Sequence, residues 1–338
     1  FCLQGFKMPK VSICVAYYNR SEFVAMCIGS LLNQDYDDFE VIVVNDGSPD
    51  KQTQNELEKF DDPRLKVIYQ DNTGFVGAMR KAIDHASGEY IAIQGAGDVS
   101  LPQRVTLQAQ FLDHNPDVGI VSCRYQNTVV GGEYDGQKKV SSYHRTEITI
   151  DDMLTGSNPF GHGEVMYRKS LYDKVGGYRE FFRFAQDRDL WLRMLPHCRG
   201  KIIDEVLYER FLFTSDGIAT NIEKLVLQRL LSVFARQCYF DKLNYGFDYV
   251  EKYGAQAGLY RDNSKIIRDF CSKKSLHSFY QDKEKQSSRL ISMSLSHGKT
   301  PSNLLIYLLI KMAKNATFKN VLLKLISLHP SSKNWYQS

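Results

Sequence analysis

Between residues 11 and 123, apolar β-branched runs alternate with stretches whose apolar residues recur every three or four positions. Val11–Tyr17 reads as a buried strand, and Ser21 offers an N-cap to a helix with Phe23, Cys27 and Leu31 on one face. Val41–Val44 is a second strand, a weaker helix covers about 50–60, and Leu65–Tyr69 is a third strand. A helix follows through Ala78–Ala86. Tyr90–Ile93 is a fourth strand, Pro102 opens a helix to about His114, and Gly119–Cys123 is a fifth strand. Four rounds of strand then helix predict an α/β fold, a mostly parallel sheet covered on both faces. Such sheets bind ligands beyond the carboxyl ends of their strands. Gly- and Lys-rich residues 131–145 predict an exposed excursion. From Asn221 the pattern is helical to the end, with a polar, charged break near 272–287.

Composition narrows the class. The 338 residues are 43% hydrophobic and 24% charged, as in an ordinary folded protein with a sizeable core. Seven scattered cysteines show no metal-type spacing, and Cys14 and Cys27 sit in apolar runs, which reads as reduced thiols of a cytoplasmic protein. Phe1–Lys7 lacks the apolar segment of a signal peptide, and Met8 is the expected natural first residue. No apolar run approaches the roughly 20 residues that span a bilayer. The protein is therefore expected to be soluble, or at most peripheral on a membrane.

Charge is unevenly placed. Residues 265–338 hold 13 Lys/Arg against 3 Asp/Glu, a net of +10, whereas residues 1–264 hold 30 against 36, a net of −6. A basic tail suits an anionic surface. Within it, Ser302–Lys314 and Thr317–Leu328 read as amphipathic helices. Leu304, Leu305, Leu308 and Leu309 form one apolar face, and Val321, Leu322, Leu325 and Ile326 the other. Three roles stay open for them: packing on the rest of the chain, docking on anionic lipid through residues 300–328, and dimerisation.

The chemistry-bearing residues fall after the strands. Ala16-Tyr17-Tyr18-Asn19-Arg20 ends the first, and Asn45-Asp46-Gly47-Ser48 the second. Asp46 is placed to accept bonds from a base or ribose, with Gly47 admitting close backbone approach; a plain Asp-Gly turn is the competing reading. Asn72-Thr73-Gly74 precedes a helix carrying Arg80 and Lys81, suited to a base or diphosphate or to solvent. Gln94-Gly95-Ala96-Gly97-Asp98 follows the fourth strand. His162 lies between two glycines in Gly161-His162-Gly163-Glu164, either structural or facing an acceptor. Asp187 opens a helix with an apolar stripe at Leu190, Trp191 and Met194. Beside the positive end of that helix it is expected to stay ionised and to accept a hydroxyl proton; a helix cap is the alternative. Trp191 reads as core, or as an aromatic against a sugar face.

In order and spacing, these pieces resemble glycosyltransferase family 2 over residues 10 to about 215. They are Val-Ala-Tyr-Tyr-Asn-Arg (15–20), Ser-Leu-Leu-Asn-Gln (30–34), Glu-Val-Ile-Val-Val-Asn-Asp-Gly-Ser (40–48), Asn-x-Gly (72–74) and Ala-Ser-Gly-Glu-Tyr-Ile-Ala (86–92). Met166–Ser170, Val175–Tyr178 and Gln186–Trp191 complete the set. The resemblance implies a GT-A fold, a Rossmann-like sheet between helices, with a helical C-terminal region. With the helical pattern and basic charge of the C-terminal part, three parts are expected: an extension (1–9), a nucleotide-sugar-binding and catalytic domain (10–220), and a basic helical region (221–338). The resemblance further implies inverting transfer from a nucleotide-sugar donor, UDP-linked, to a surface polysaccharide or lipid-linked glycan, with no nucleic acid as partner. Asp187 would be the general base. Ala16, Tyr17, Asn19, Asp46, Asn72, Gly74 and Arg80 would line the nucleotide and residues 94–98 the diphosphate, with His162 and Trp191 toward the acceptor.

The departures from the family pattern are specific. Its Asp-x-Asp acids hold a divalent cation, Mg2+ or Mn2+, against the diphosphate; here Gly95 and Gly97 stand at those positions and Asp98 is the one acid left. The acidic pair reads Gln186-Asp187, and if Arg210 is the family's arginine, Leu212 replaces its metal-serving His. Either Asp98, diphosphate and water hold a loose metal, or Arg80, Lys81 or Arg104 neutralise the diphosphate instead. Asp189 is expected to face solvent or a structural partner. Two rivals follow: a sugar nucleotidyltransferase, which would want a Gly-rich basic loop after the first strand, and a non-catalytic partner that has lost the metal acids.

Overall fold

The computed structural model describes residues 9–143, 145–155, 158–214, 221–313 and 318–319. The chain forms two compact units, Phe1–Leu225 and Val226–Ser338. In the first, strands β1 (Val11–Tyr17), β2 (Phe39–Asp46), β3 (Leu65–Gln70) and β4 (Tyr90–Gln94) alternate with helices α1 (Val24–Leu32), α2 (Lys51–Leu57) and α3 (Gly74–Asp84). After β5 (Val99–Ser100) come α4 (Arg104–His114), β6 (Val118–Val130), β7 (Lys138–Val140), β8 (Glu147–Ile148) and α5 (Ile150–Thr155). β9 (Met166–Arg168), α6 (Lys169–Lys174), α7 (Gln186–Met194) and β10 (Arg199–Phe213) follow.

The sheet order is β3-β2-β1-β4-β9-β6-β10-β5, with β7 beside β6 and β8 beside β10. β1 to β4 pair in parallel, as the alternation predicts. The short β9 then inserts antiparallel to both β4 and β6, so the sheet is mixed. Its residues, Met166-Tyr167-Arg168, are too few to show a period. Alternation along β1 sends Ile13, Val15 and Tyr17 into one core with Cys27 and Leu31 of α1 and Val105, Ala109 and Leu112 of α4. Cys14 is equally buried but lies outside that core, and α3 lies against β1 and β2.

Several local expectations change. Ser21 does not cap α1: it starts a short 3-10 turn, Arg20 sits before it at φ 63°, and α1 begins only at Val24. Asp50 instead caps α2, accepting from the Thr53 N–H at 3.0 Å. The excursion at 131–145 contains exposed β7, paired with the far end of β6.

The second unit holds most of α8 (Ile222–Tyr245), then α9 (Tyr249–Tyr253), α10 (Lys265–Tyr280), α11 (Glu284–Ser296) and α12 (Pro301–Met312). The polar break expected at 272–287 shrinks to the turn after Tyr280. Its serines are a helix contact: Ser275 Oγ donates to the Ser287 carbonyl at 2.8 Å and Ser287 Oγ to the Ser275 carbonyl at 2.9 Å. Small hydroxyls can be buried once backbone carbonyls accept them. In α12, Ile306 and Ile310 pack with Phe279 and Ile291, whereas Leu304, Leu305 and Leu308 are exposed. Lys314–Thr317 and most of the second expected tail helix lie outside the described residues. Among the described residues no helix is long and apolar enough to cross a membrane.

Candidate active site

The parallel register brings the strand ends level: Tyr17 lies opposite Asn45, and Asp46 opposite Gln70. Asp46 is buried at this rim. Its Oδ1 accepts from the Thr73 N–H (2.8 Å), the Thr73 hydroxyl (3.1 Å) and Gln70 Nε2 (2.8 Å), and Oδ2 accepts from the Gly74 N–H (2.9 Å). The predicted nucleotide contact therefore also fixes the start of α3. Oδ2, with one donor, keeps a lone pair for a ligand. Gly47 has φ 69°, and a Cβ there would stand 2.7 Å from the Asn72 nitrogen, so only glycine lets the two rim loops close. Asn72 is exposed, its Oδ1 accepting from the Gly74 N–H at 3.2 Å. The Asn19 N–H donates to Ser48 Oγ at 2.9 Å, and Ala16 is half-buried.

Two expected contacts are placed otherwise. The Tyr17 ring is fully buried and its hydroxyl donates to the Arg20 carbonyl, because its place in β1 points it into the α1 core. Arg80 is exposed and pairs with Glu180 at 2.9 Å.

That loop is held from beneath. Gln94 Nε2 donates to the Asp98 carbonyl at 2.8 Å, and Gln94 Oε1 accepts from Arg104 Nη1 at 3.0 Å. Arg104 is wholly buried, with Nη2 on the Ile93 carbonyl at 2.7 Å and Nε on Gln108. It props the loop and does not face a diphosphate, which corrects its expected role. Above, the Tyr208 hydroxyl of β10 accepts from the Gly95 N–H at 2.9 Å and donates to Asp98 Oδ2 at 2.8 Å; Asp98 Oδ1 accepts from the Phe211 N–H at 2.9 Å. Burial pushes the Asp98 carboxyl up, opposed by those two bonds and by the Arg210 and Arg20 guanidiniums. Arg20 also donates from Nη1 to the Ala96 carbonyl at 3.0 Å. Arg210 is fixed through Nε to Asn127 at 2.8 Å, over the Tyr125 ring.

For a hard divalent cation this donor set is sparse, with a single carboxylate to hold it. Such a cation wants several oxygen ligands, carboxylates foremost. Asp98 is the one acid of the loop; Tyr208 and Phe211 each donate to one of its oxygens, which leaves a lone pair on both. A Cβ on Gly95 would stand 2.2 Å from Asp98 Oδ2, and Gly97 has φ 89°, which disfavours an Asp there. An acid at Gly95 would displace Asp98, and one at Gly97 would strain the backbone.

The third part is the start of α7. Ala185, at φ 56°, precedes the helix and Asp187 is its second residue. Asp187 is half-buried, its Oδ1 accepting from the Arg188 N–H at 2.8 Å and its Oδ2 from Asn158 Nδ2 at 2.7 Å. Burial outweighs the helix end, so the carboxyl is pushed above its usual range where the helix position alone suggested easy ionisation. Asp189, two residues on, is buried between Arg179 and Arg193; burial opposes its charge, but the two guanidiniums hold it below the usual range. Trp191 is completely buried and belongs to the core.

The segment 158–164 joins these parts, and the sequence singled out only His162 in it. His162 Nε2 bonds the Tyr178 hydroxyl at 2.7 Å, and its ring packs near Phe75 and Trp191. Burial lowers its pKa to about 4, so it is neutral at pH 7. Gly163 lies under the loop: a Cβ there would be 2.3 Å from the Tyr208 oxygen and 3.3 Å from the Gly95 nitrogen. Glu164 is buried, with Oε1 on the Gly161 N–H at 2.6 Å. Asn158 escaped notice because a single amide in a loop carries no pattern.

The parts brought together are a rim at the strand ends of a mixed α/β sheet, a Gly-rich loop after β4 and Asp187 at a helix start. The profile of glycosyl transferase family 2 matches residues 12–176. The putative glycosyltransferase EpsE of Bacillus subtilis is 31% identical over 210 residues, 60% of this chain and 72% of its own. The O-antigen biosynthesis glycosyltransferase WbnJ of Escherichia coli is 28% identical over 56% of this chain and 74% of its own. Solved structures of GT-A enzymes share the fold. S. aureus TarS 1-349 in complex with UDP-GlcNAc has a TM-score of 0.53 at 18% identity, over 91% of this chain and 92% of that one. A mannosyltransferase from Pyrobaculum calidifontis with GDP-Man and Mn2+ has 0.51 at 15%, over 98% and 89%. The chain belongs to glycosyltransferase family 2 and is a glycosyltransferase.

Proposed function

We propose that this enzyme moves a sugar from a UDP-sugar to a hydroxyl of a polysaccharide or lipid-linked glycan by direct displacement, with inversion. Asp187 takes the acceptor proton as the acceptor oxygen bonds to the anomeric carbon. The bond from that carbon to the diphosphate breaks, and UDP leaves from the opposite face with the bonding electrons. The observation that carries this reading is the Asp187 carboxylate, fixed by one donor on each oxygen, with lone pairs to spare and a raised pKa that strengthens it as a base. TarS in complex with UDP-GlcNAc supports a UDP-linked donor, and WbnJ supports a glycan acceptor. Ala16, Asn19, Asp46, Asn72 and Gly74 line the nucleotide. Arg20 and Arg210, the cations acting on Asp98, offset the charge of the departing diphosphate. Asp187→Asn is expected to lower UDP-sugar turnover at least about 1,000-fold with UDP affinity within threefold. Near-normal turnover of the variant would remove Asp187 as the base.

The exposed Leu304, Leu305 and Leu308 of α12, with the net +10 of residues 265–338, support docking on the anionic inner face of a cell membrane, where a lipid-linked acceptor resides.

A further inference from the structure

The Asn158 side chain has two ends with opposite fates. A carboxylate only accepts, so the atom 2.7 Å from Asp187 Oδ2 is the amide nitrogen. Its own Oδ1 is buried and finds no partner among the described residues. A buried amide that leaves one acceptor unsatisfied is held by something other than its own hydrogen-bond economy. Here that is the carboxylate of the proposed base. Among titratable and charged groups, Arg188 acts on Asp187 from its own helix and the Tyr178 hydroxyl from across the site. The Arg188 guanidinium is itself directed to the Met153 carbonyl at 2.7 Å. Among the described residues, Asn158 is thus the side chain that hydrogen-bonds the Asp187 carboxylate from outside α7, and it does so from the segment whose Gly163 packs beneath the Gly95 loop.

We propose that Asn158 is a positioning residue for the general base: Nδ2 fixes Asp187 Oδ2 and so orients the remaining carboxylate lone pairs toward the incoming acceptor hydroxyl. The proposal rests on Asp187 being the base. Donation to the ionised form stabilises it, so removing the donor raises the carboxyl pKa and lets the carboxylate rotate.

The test uses the full chain labelled with 13C at the aspartate carboxyls, with the Asp187 resonance assigned by its loss in Asp187→Asn. Titration of Asn158→Ala is expected to place the Asp187 pKa at least half a unit above wild type, and Asn158→Asp at least one unit above, because two carboxyls then share the site. Asn158→Ala is expected to bind UDP within threefold of wild type and to retain its circular-dichroism spectrum. An unmoved Asp187 pKa in both variants overturns the proposal. Loss of the folded spectrum in Asn158→Ala shifts the reading to Asn158→Asp, which conserves shape; an unmoved pKa there overturns it equally. An active Asp187→Asn enzyme defeats the base assignment instead, so the two failures are separable.

Discussion

The Tyr208 hydroxyl stands between Gly95 and Asp98, accepting from one backbone N–H at 2.9 Å and donating to one carboxylate oxygen at 2.8 Å. This one buried oxygen ties the loop after β4 to β10, more than 100 residues away.

Tyr208→Phe removes both bonds and leaves a buried carboxylate oxygen and an N–H short of partners. The expected cost is about 1–3 kcal/mol, seen as a lower thermal midpoint together with weaker UDP binding. Gly95→Ala should act the same way from the other side, since its Cβ would meet Asp98 Oδ2 at 2.2 Å. Wild-type melting and UDP affinity in both variants would show that the loop does not depend on this tie.

Because Asp98 is the one acid of the loop and a hard cation wants several carboxylate or other oxygen ligands, UDP binding should depend little on divalent metal. Calorimetric titration of UDP in Mn2+ and in EDTA is expected to give dissociation constants within threefold. A tenfold loss in EDTA would mean that Asp98 and the diphosphate together recruit the cation.

His162 is neutral when folded because burial lowers its pKa from 6.5 to about 4. The unfolded chain binds a proton there first as pH falls, so this contribution to stability is complete above about 6.5 and is lost toward pH 4. Urea unfolding at pH 7, 5.5 and 4.5 should show a decline that His162→Gln reduces. An identical decline in the variant would assign the acid sensitivity elsewhere.

The exposed face of α12 makes the membrane reading testable without truncation. Leu305→Asp with Leu308→Asp should lower binding to phosphatidylglycerol vesicles at least fivefold while leaving UDP affinity unchanged, because Ile306 and Ile310 still hold the helix in its own core. Unaltered vesicle binding would retire this face as the docking surface.

What the sequence determined by itself was the part of the protein written in short-range pattern. β1 to β4, with α2, α3 and α4, follow from period and apolar runs, and the rim residues Asp46, Gly47 and Gly74 follow from turn chemistry at the strand ends. Asp187 at the start of α7 was legible because an acid ahead of an apolar stripe is a local signal. The tertiary structure decided what depends on residues distant in sequence. β9 enters the sheet between β4 and β6 because backbone groups must pair, not because three residues show a pattern. Arg104 turns inward because Gln94, Gln108 and the Ile93 carbonyl together satisfy a buried guanidinium. Asp98 closes on Tyr208 and Phe211, and Asn158 reaches Asp187 across 29 residues of sequence. Such contacts are fixed by packing and by the cost of leaving buried polar groups unpaired, and that cost exists only once the chain has folded.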